Sequence, residues 1–156
     1  MAPTQFENLS EDLIWEVCRH NNAYLCKRKQ AGGVQFSRDP MNLANKHSRK
    51  HAGFVNNKAI GINADSNTVG MTTKIASRQN KPAKSTHNSS FSASTPSRKL
   101  YRNVVNSTAK KGYRADLRGD AVARASAVKQ SQREKKDTKE VKLRGAKARK
   151  AAAGNA

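Results

Sequence analysis

Few side chains in this sequence have the type and spacing that catalysis or metal binding needs. His47 and His51 lie four residues apart, as in some zinc helices, but cations separate them and no carboxylate or thiolate is near. Cys18 and Cys26 form neither a disulfide framework nor a metal set. Phosphate-binding loops, dinucleotide fingerprints and nucleophile elbows do not occur. The sequence therefore predicts a protein that is not an enzyme and takes no cofactor, metal or small-molecule substrate.

Positive charge is the chemistry that remains. The 156 residues include 31 Lys+Arg and 11 Asp+Glu, which gives a formal net charge of +20. No acidic residue occurs between Ser66 and Ala115. Charge of one sign attracts a polyanion, and nucleic acid is the first candidate. An anionic membrane is the second, but no apolar run approaches the ~20 residues that cross a bilayer, so we expect no membrane partner.

Cationic side chains suggest how the nucleic acid would be bound. Lysine and arginine neutralise phosphates and release condensed counterions, and arginine also stacks on unpaired bases. Folded RNA is recognised by such groups through its shape and backbone. Tyr24, Phe36, Tyr101 and Tyr113 can stack on bases, although a structural role explains each of them as well. The predicted RNA-binding residues are Lys27, Arg28, Arg49, Lys50, Lys74, Arg78, Lys81, Lys84, Arg98, Arg102, Lys110, Lys111, Arg114, Arg118, Arg124 and Arg133.

A folded body must position these cations, and its first part is predicted to be a small α+β domain over residues 1–76. Apolar residues with helical spacing predict a helix over 5–20, capped by Asn8 or Ser10, with Trp15 as a core anchor. Alternating residues then predict two hairpins, one turning at Gly32-Gly33 and the other at 65–68. We expect a four-stranded antiparallel sheet with the helix packed on one side.

The rest of the chain divides by composition. Residues 77–97 contain seven serines and almost no apolar side chains, which predicts an extended basic linker that only a partner would order. Residues 98–132 predict a helical hairpin that packs outside the core of the small domain. Its stripes are Leu100, Val104 and Thr108 before Gly112, and Leu117, Ala121, Ala125 and Val128 after it. Residues 133–156 predict a basic tail, in which a helix frays.

Several segments, taken in order, resemble the eukaryotic large-subunit ribosomal protein family L28e. They are Trp15-Glu16-Val17, Asn21–Leu25 with Lys27-Arg28, Phe36–Pro40 with Asn42-Leu43, residues 48–58, Arg78–Pro82, Tyr113-Arg114, Asp116–Arg118, Ala121-Val122 and Arg124–Ala127. The ordered set covers roughly residues 9–132. The resemblance implies a non-catalytic constituent of the large ribosomal subunit that contacts ribosomal RNA and neighbouring ribosomal proteins.

The resemblance also implies a cytoplasmic location on the ribosome, with passage through the nucleolus during assembly. The first residues are acidic and polar, which predicts no secretory signal. Two alternatives stay open at this point. One is a ribosome-assembly factor that binds precursor ribosomal RNA, and the other is a basic protein that binds chromatin.

Overall fold

The computed structural model describes residues 9–30, 32–78, 81–134, 142 and 144–154. It has the predicted α+β fold. Single turns of 3-10 helix, which were not predicted, lie at Ala76–Arg78, Pro82–Lys84, Ala109–Lys111 and Ala115–Leu117. Within the described part of the chain, no helix is long and apolar enough to cross a membrane. The main elements are α1 (Glu11–Cys18), β1 (Leu25–Lys27), β2 (Gln35–Ser37), β3 (Ile60–Asp65), β4 (Thr68–Lys74), β5 (Thr86–Ser92), α2 (Ser97–Ser107), α3 (Arg118–Ser131) and α4 (Ala146–Ala153).

The strands form two separate antiparallel sheets, and the predicted single four-stranded sheet is wrong. β1 pairs with β2, and the positive φ angles of Gly32 (73°) and Gly33 (74°) allow the turn between them. The second sheet has the strand order β3-β4-β5, and β3 turns into β4 at residues 66–67. Both predicted hairpins are therefore present, but they belong to different sheets.

Irregular backbone over residues 38–59 keeps the two sheets apart. Asp39 is buried, and its carboxylate accepts hydrogen bonds from the backbone N–H groups of Met41 and Phe54, both at 2.9 Å. The same stretch passes so close to β3 that a side chain at Gly61 would meet the Pro40 carbonyl oxygen at 2.7 Å. Local side-chain bonds thus replace strand pairing here, and β2 ends after three residues.

β5 lies inside the segment that we predicted to be a linker. The segment is extended there, and β5 pairs with β4 along its whole length, from Thr68 opposite Ser92 to Lys74 opposite Thr86. Phe91 also packs against the hydrophobic core. The expectation that only a partner would order this segment is wrong, because β4 already satisfies the backbone polar groups along one edge of β5.

α2 and α3 form the predicted helical hairpin. α2 is followed by a 3-10 turn and by Gly112, whose φ of 69° lets the chain reverse. The amphipathic pattern predicts this helix over Tyr113–Gln132, whereas α3 begins at Arg118, because Arg114 has a left-handed backbone (φ 45°) and a 3-10 turn follows it. Both predicted apolar stripes are buried. The first consists of Leu100 and Val104 on α2 with Thr108 directly after it, and the second of Leu117 directly before α3 with Ala121, Ala125 and Val128 on it.

One hydrophobic core joins the three-stranded sheet to the helical hairpin. Ile60 and Met71 from the sheet belong to the same buried cluster as Leu100 and Val104 from α2. The expectation that the hairpin packs outside a separate core is therefore wrong. A sheet with one apolar face needs a covering layer, and the two helices are that layer. The division of the chain into units ending at residues 76, 97 and 132 stays a prediction.

α1 packs on the irregular segment and contributes no buried residue. Ser10 caps it as predicted, since its hydroxyl accepts a hydrogen bond from the Leu13 N–H at 3.1 Å. Trp15 is only half-buried and its ring lies 4.9 Å from that of His47, so its prediction as a core anchor is wrong. The predicted helix positions 5–8 and most of residues 135–143 in the tail lie outside the described residues.

Candidate nucleic-acid interface

Most of the predicted RNA-binding side chains are exposed. Arg98 and Arg102 lie one turn apart on α2, on the side away from Leu100 and Val104. Within the described residues, the exposed group makes no side-chain hydrogen bond or ion pair, which leaves its charge available to a partner. Its members are Lys27, Arg28, Arg78, Lys81, Lys84, Arg98, Arg102, Lys110, Lys111, Arg118 and Arg133.

The remaining predicted cations are bonded inside the protein, and Arg49 is the first of them. Its guanidinium forms ion pairs with Glu11 (3.1 Å) and Asp12 (2.8 Å), and it also donates to the side-chain oxygen of Asn56. These bonds attach α1 to the irregular segment. Arg49 is therefore a structural contact in this fold, and its charge is largely compensated.

Lys74 lies at the end of β4 and points into the protein. Its ammonium donates to the backbone carbonyl oxygens of Gly53, Phe54 and Asn56. Burial lowers the pKa of Lys74, and the nearby Asp39 and Glu11 carboxylates oppose that shift. Lys74 thus ties the sheet to the irregular segment.

Arg114 and Arg124 also bond within the protein. The Arg114 guanidinium donates to the carbonyl oxygens of Lys50 (2.8 Å) and Lys58 (2.9 Å) and forms a bidentate pair with Asp116. This pairing lowers the pKa of Asp116. Arg124 donates from Nε to the Ile62 carbonyl oxygen at 3.2 Å, which links α3 to β3.

Lys50 is exposed but partly compensated by Asp120. Its ammonium lies 3.6 Å from the Asp120 carboxylate, which also contacts His51 Nε2 at 3.1 Å. The hydrogen bond from His51, with smaller contributions from Lys50, lowers the pKa of Asp120. The predicted cations thus comprise an exposed group and a group that holds the fold together.

The two histidines considered as metal ligands have structural partners. His47 Nε2 lies 2.7 Å from the Arg19 carbonyl oxygen, and His51 Nδ1 lies 2.8 Å from the Ser48 hydroxyl. Among the described residues, no group of histidine, cysteine or carboxylate side chains is arranged to hold a metal ion.

The four aromatic candidates for base stacking also separate into two groups. The Tyr113 hydroxyl accepts from the Ala59 N–H (3.1 Å) and donates to the Lys74 carbonyl oxygen (2.8 Å), and burial raises its pKa. Tyr101 donates to the Ser126 hydroxyl at 2.9 Å. Tyr24 and Phe36, in contrast, are exposed on the β1–β2 hairpin.

The sequence model of the ribosomal L28e protein family matches residues 13–131. The chain belongs to this family. The family prediction made from the ordered sequence segments is therefore confirmed.

Three relatives of this L28e chain align with it over nearly their whole length. A protein of Schizosaccharomyces pombe is 41% identical over 131 residues, which are 83% of this chain and 97% of the relative. A protein of Dictyostelium discoideum is 33% identical over 128 residues, 82% of this chain and 92% of the relative. A protein of Caenorhabditis elegans is 33% identical over 130 residues, which are 83% of this chain and 99% of the relative. All three relatives are named large ribosomal subunit protein eL28.

The range that matches the L28e family has a structural meaning. It begins inside α1 and ends with the last residue of α3, so it contains both sheets and the helical hairpin. Arg133 and α4 lie beyond it. All predicted RNA-binding residues except Arg133 therefore belong to the part of the chain that matches the family model.

Sequence analysis missed two exposed cations beside β2. Arg38 and Lys46 make no side-chain hydrogen bond or ion pair within the described residues. Arg38 follows Phe36 by two residues, and Lys46 forms an isolated bridge with Phe36. The period-two spacing of Phe36 and Arg38 was a signal in the sequence, whereas the approach of Lys46 depends on how residues 38–45 turn.

Proposed function

We propose that this protein is a structural constituent of the cytosolic large ribosomal subunit that binds folded ribosomal RNA through its exposed cations. Membership of the L28e family, with relatives named as large-subunit proteins, is the observation that carries the proposal. The net charge of +20 and the exposed, uncompensated lysine and arginine side chains support the choice of RNA as the partner. No catalytic role is proposed, since the family is one of structural ribosomal proteins.

The exposed cations suit folded RNA, which proteins recognise by its shape and its phosphate backbone. Arg98 and Arg102 on α2, Lys110 and Lys111 in the following turn, and Arg118 on α3 are carried by rigid elements above a common core. Such groups fix the position of a phosphate backbone without reading its sequence. Each neutralised phosphate also releases counterions, so binding weakens as salt rises. Neighbouring ribosomal proteins would contact surfaces that the RNA leaves free.

Sedimentation tests the proposal directly. The tagged full chain should migrate with free large subunits and polysomes in a cytoplasmic extract and should remain there in moderate salt. Transient nucleolar passage during assembly is part of the proposal. Recovery only with nucleolar precursor particles would favour an assembly factor instead, and recovery with chromatin would favour a DNA-binding protein. Either result would overturn the proposed function.

A further inference from the structure

The β1–β2 hairpin has one face that combines aromatic and cationic side chains. Cys26 lies opposite Phe36, and the pairing continues on both sides of them. The Arg38 N–H donates to the Tyr24 carbonyl oxygen at 2.9 Å, and the Arg28 N–H donates to the Val34 carbonyl oxygen at 3.2 Å. Directly opposed residues of an antiparallel pair have side chains on the same face. The face therefore consists of Tyr24, Cys26 and Arg28 beside Arg38, Phe36 and Val34.

Phe36 occupies the centre of this face and is partly exposed to solvent. It is 43% exposed, and within the described residues its ring has no aromatic partner. Tyr24, its neighbour on the face, is 37% exposed and packs against Phe54 with ring centroids 5.7 Å apart. Tyr24 is therefore held by the protein, whereas the Phe36 ring is available to a ligand.

A shallow groove surrounds the Phe36 ring, and cations line it. Arg28 and Arg38, on the same face as Phe36, line it together with Asn45, and no carboxylate takes part. Neither of these two cations makes an ion pair within the described residues. An apolar peptide in this groove would take two charges partly out of water without compensation, which is costly. An anion that also offers a flat, stackable group would satisfy both the ring and the cations.

We propose that this groove binds an unpaired nucleobase of RNA, stacked on Phe36, while Arg28 and Arg38 contact the flanking phosphates. The inference rests on the proposed function and assigns a distinct role to this hairpin. Every base has a π face that an aromatic side chain can stack on, and arginine grips phosphate or adds a further stacking plane. No comparable exposed ring lies beside the exposed cations of α2 and α3 in the described residues. We therefore expect these cations to contact the phosphate backbone of base-paired RNA.

Binding of two RNA duplexes to the full-length protein tests this assignment. The duplexes have the same length and sequence, and one carries a single bulged adenosine. The wild-type protein should bind the bulged duplex about tenfold more tightly, the effect expected of one stacked base. Phe36→Ala should abolish that preference while binding to the paired duplex stays unchanged. Ultraviolet cross-linking should attach the bulged base to Phe36.

Three variants control the measurement. Phe36→Tyr keeps a stacking ring and should keep the preference, whereas Phe36→Leu keeps apolar volume without the ring and should lose it. Val17→Ala removes an apolar side chain that is 72% exposed on α1, far from the groove in sequence, and should behave as wild type. Circular dichroism should show that all of them fold, because neither Phe36 nor Val17 belongs to the core cluster.

Two outcomes would overturn the inference. One is equal affinity of the wild-type protein for both duplexes, and the other is an equal loss on both duplexes in Phe36→Ala. In either case, continued sedimentation of the wild-type protein with large subunits would leave the proposed function intact. Absence from large subunits would instead remove the proposed function, whatever the duplexes show.

Discussion

Arg114 and Arg118 lie four residues apart and differ in every contact. The Arg114 side chain is 16% exposed and bonds two backbone carbonyl oxygens and the Asp116 carboxylate. Arg118 is exposed, and its side chain has no bonded partner within the described residues. One arginine is thus part of the fold, and the other is available to RNA, although both have the same charge and stand in the same stretch of sequence.

Arg114→Ala should destabilise the protein by about 2 kcal/mol, because it removes two charge-assisted hydrogen bonds to backbone carbonyl oxygens and the pair with Asp116. Arg118→Ala should change stability by less than about 0.5 kcal/mol. It should instead reduce the slope of log affinity for RNA against log salt concentration by about one, as expected for one lost phosphate contact. Urea unfolding measures the first effect, and RNA binding over a salt series measures the second.

A glycine variant separates the side chain of Arg114 from its backbone. Arg114 has a φ of 45°, which glycine adopts without strain. Arg114→Gly should therefore be less destabilising than Arg114→Ala, by about 1 kcal/mol. Equal stability of the wild type and Arg114→Ala would show that the observed hydrogen bonds do not stabilise the fold.

The candidate site was predictable from sequence only in part, and arginine shows why. Amphipathic spacing placed Arg98 and Arg102 on the exposed side of a helix, because that pattern is local. Arg49, in contrast, finds Glu11 38 residues away along the chain. Such pairing depends on tertiary packing, which composition and spacing do not contain. A count of cations therefore overstates the positive charge that stays uncompensated on the surface.

The start of α3 is attached to the irregular segment through Asp120. His51 and Lys50 contact its carboxylate and hold its pKa below the usual value, with the His51 hydrogen bond as the largest cause. A carboxyl group whose pKa is lower in the folded state stabilises that state above the unfolded pKa, near 3.9. This contribution should be lost as the pH falls through the lowered pKa of the folded protein.

Asp120→Asn should therefore be less stable than the wild type at pH 7 and above about pH 5, and the difference should shrink toward pH 3. Urea unfolding at a series of pH values measures it. Asp65→Asn, at an exposed position without an ion pair in the described part of the chain, should follow the wild-type profile. A constant difference between Asp120→Asn and the wild type at all pH values would mean that the carboxylate charge is not involved.

At the scale of elements, local patterns predicted the helical hairpin and both β-hairpins. Leu100 and Val104 on one helix and Ala121 and Ala125 on the other are buried as their spacing indicates. β5 was not predicted, because Thr86–Ser92 has one large apolar residue, Phe91. Backbone hydrogen bonds with β4 order this strand instead. The separation of the two sheets was not predicted from the sequence, because it depends on hydrogen bonds of the buried Asp39 that form only in the folded protein.

The whole molecule is organised by one core to which both halves of the sequence contribute. Ile60, Ile62, Val69 and Met71 lie on one side, and residues of α2 and α3 cover them. Burying one such side chain stabilises a protein by roughly 1.5–3 kcal/mol. Exposing all four would remove a large share of the roughly 5–15 kcal/mol that keeps a domain folded. The sheet therefore depends on helices that are distant in sequence.

A chain truncated after residue 97 should consequently fail to fold, since it keeps the sheet and loses both covering helices. Circular dichroism during heating should show no cooperative transition, and amide hydrogen exchange should show no protected β3 or β4 backbone. A chain truncated after residue 134 keeps the whole core and should melt like the full chain. Cooperative unfolding of the shorter chain would instead support the independent domain over residues 1–76 that the sequence predicts.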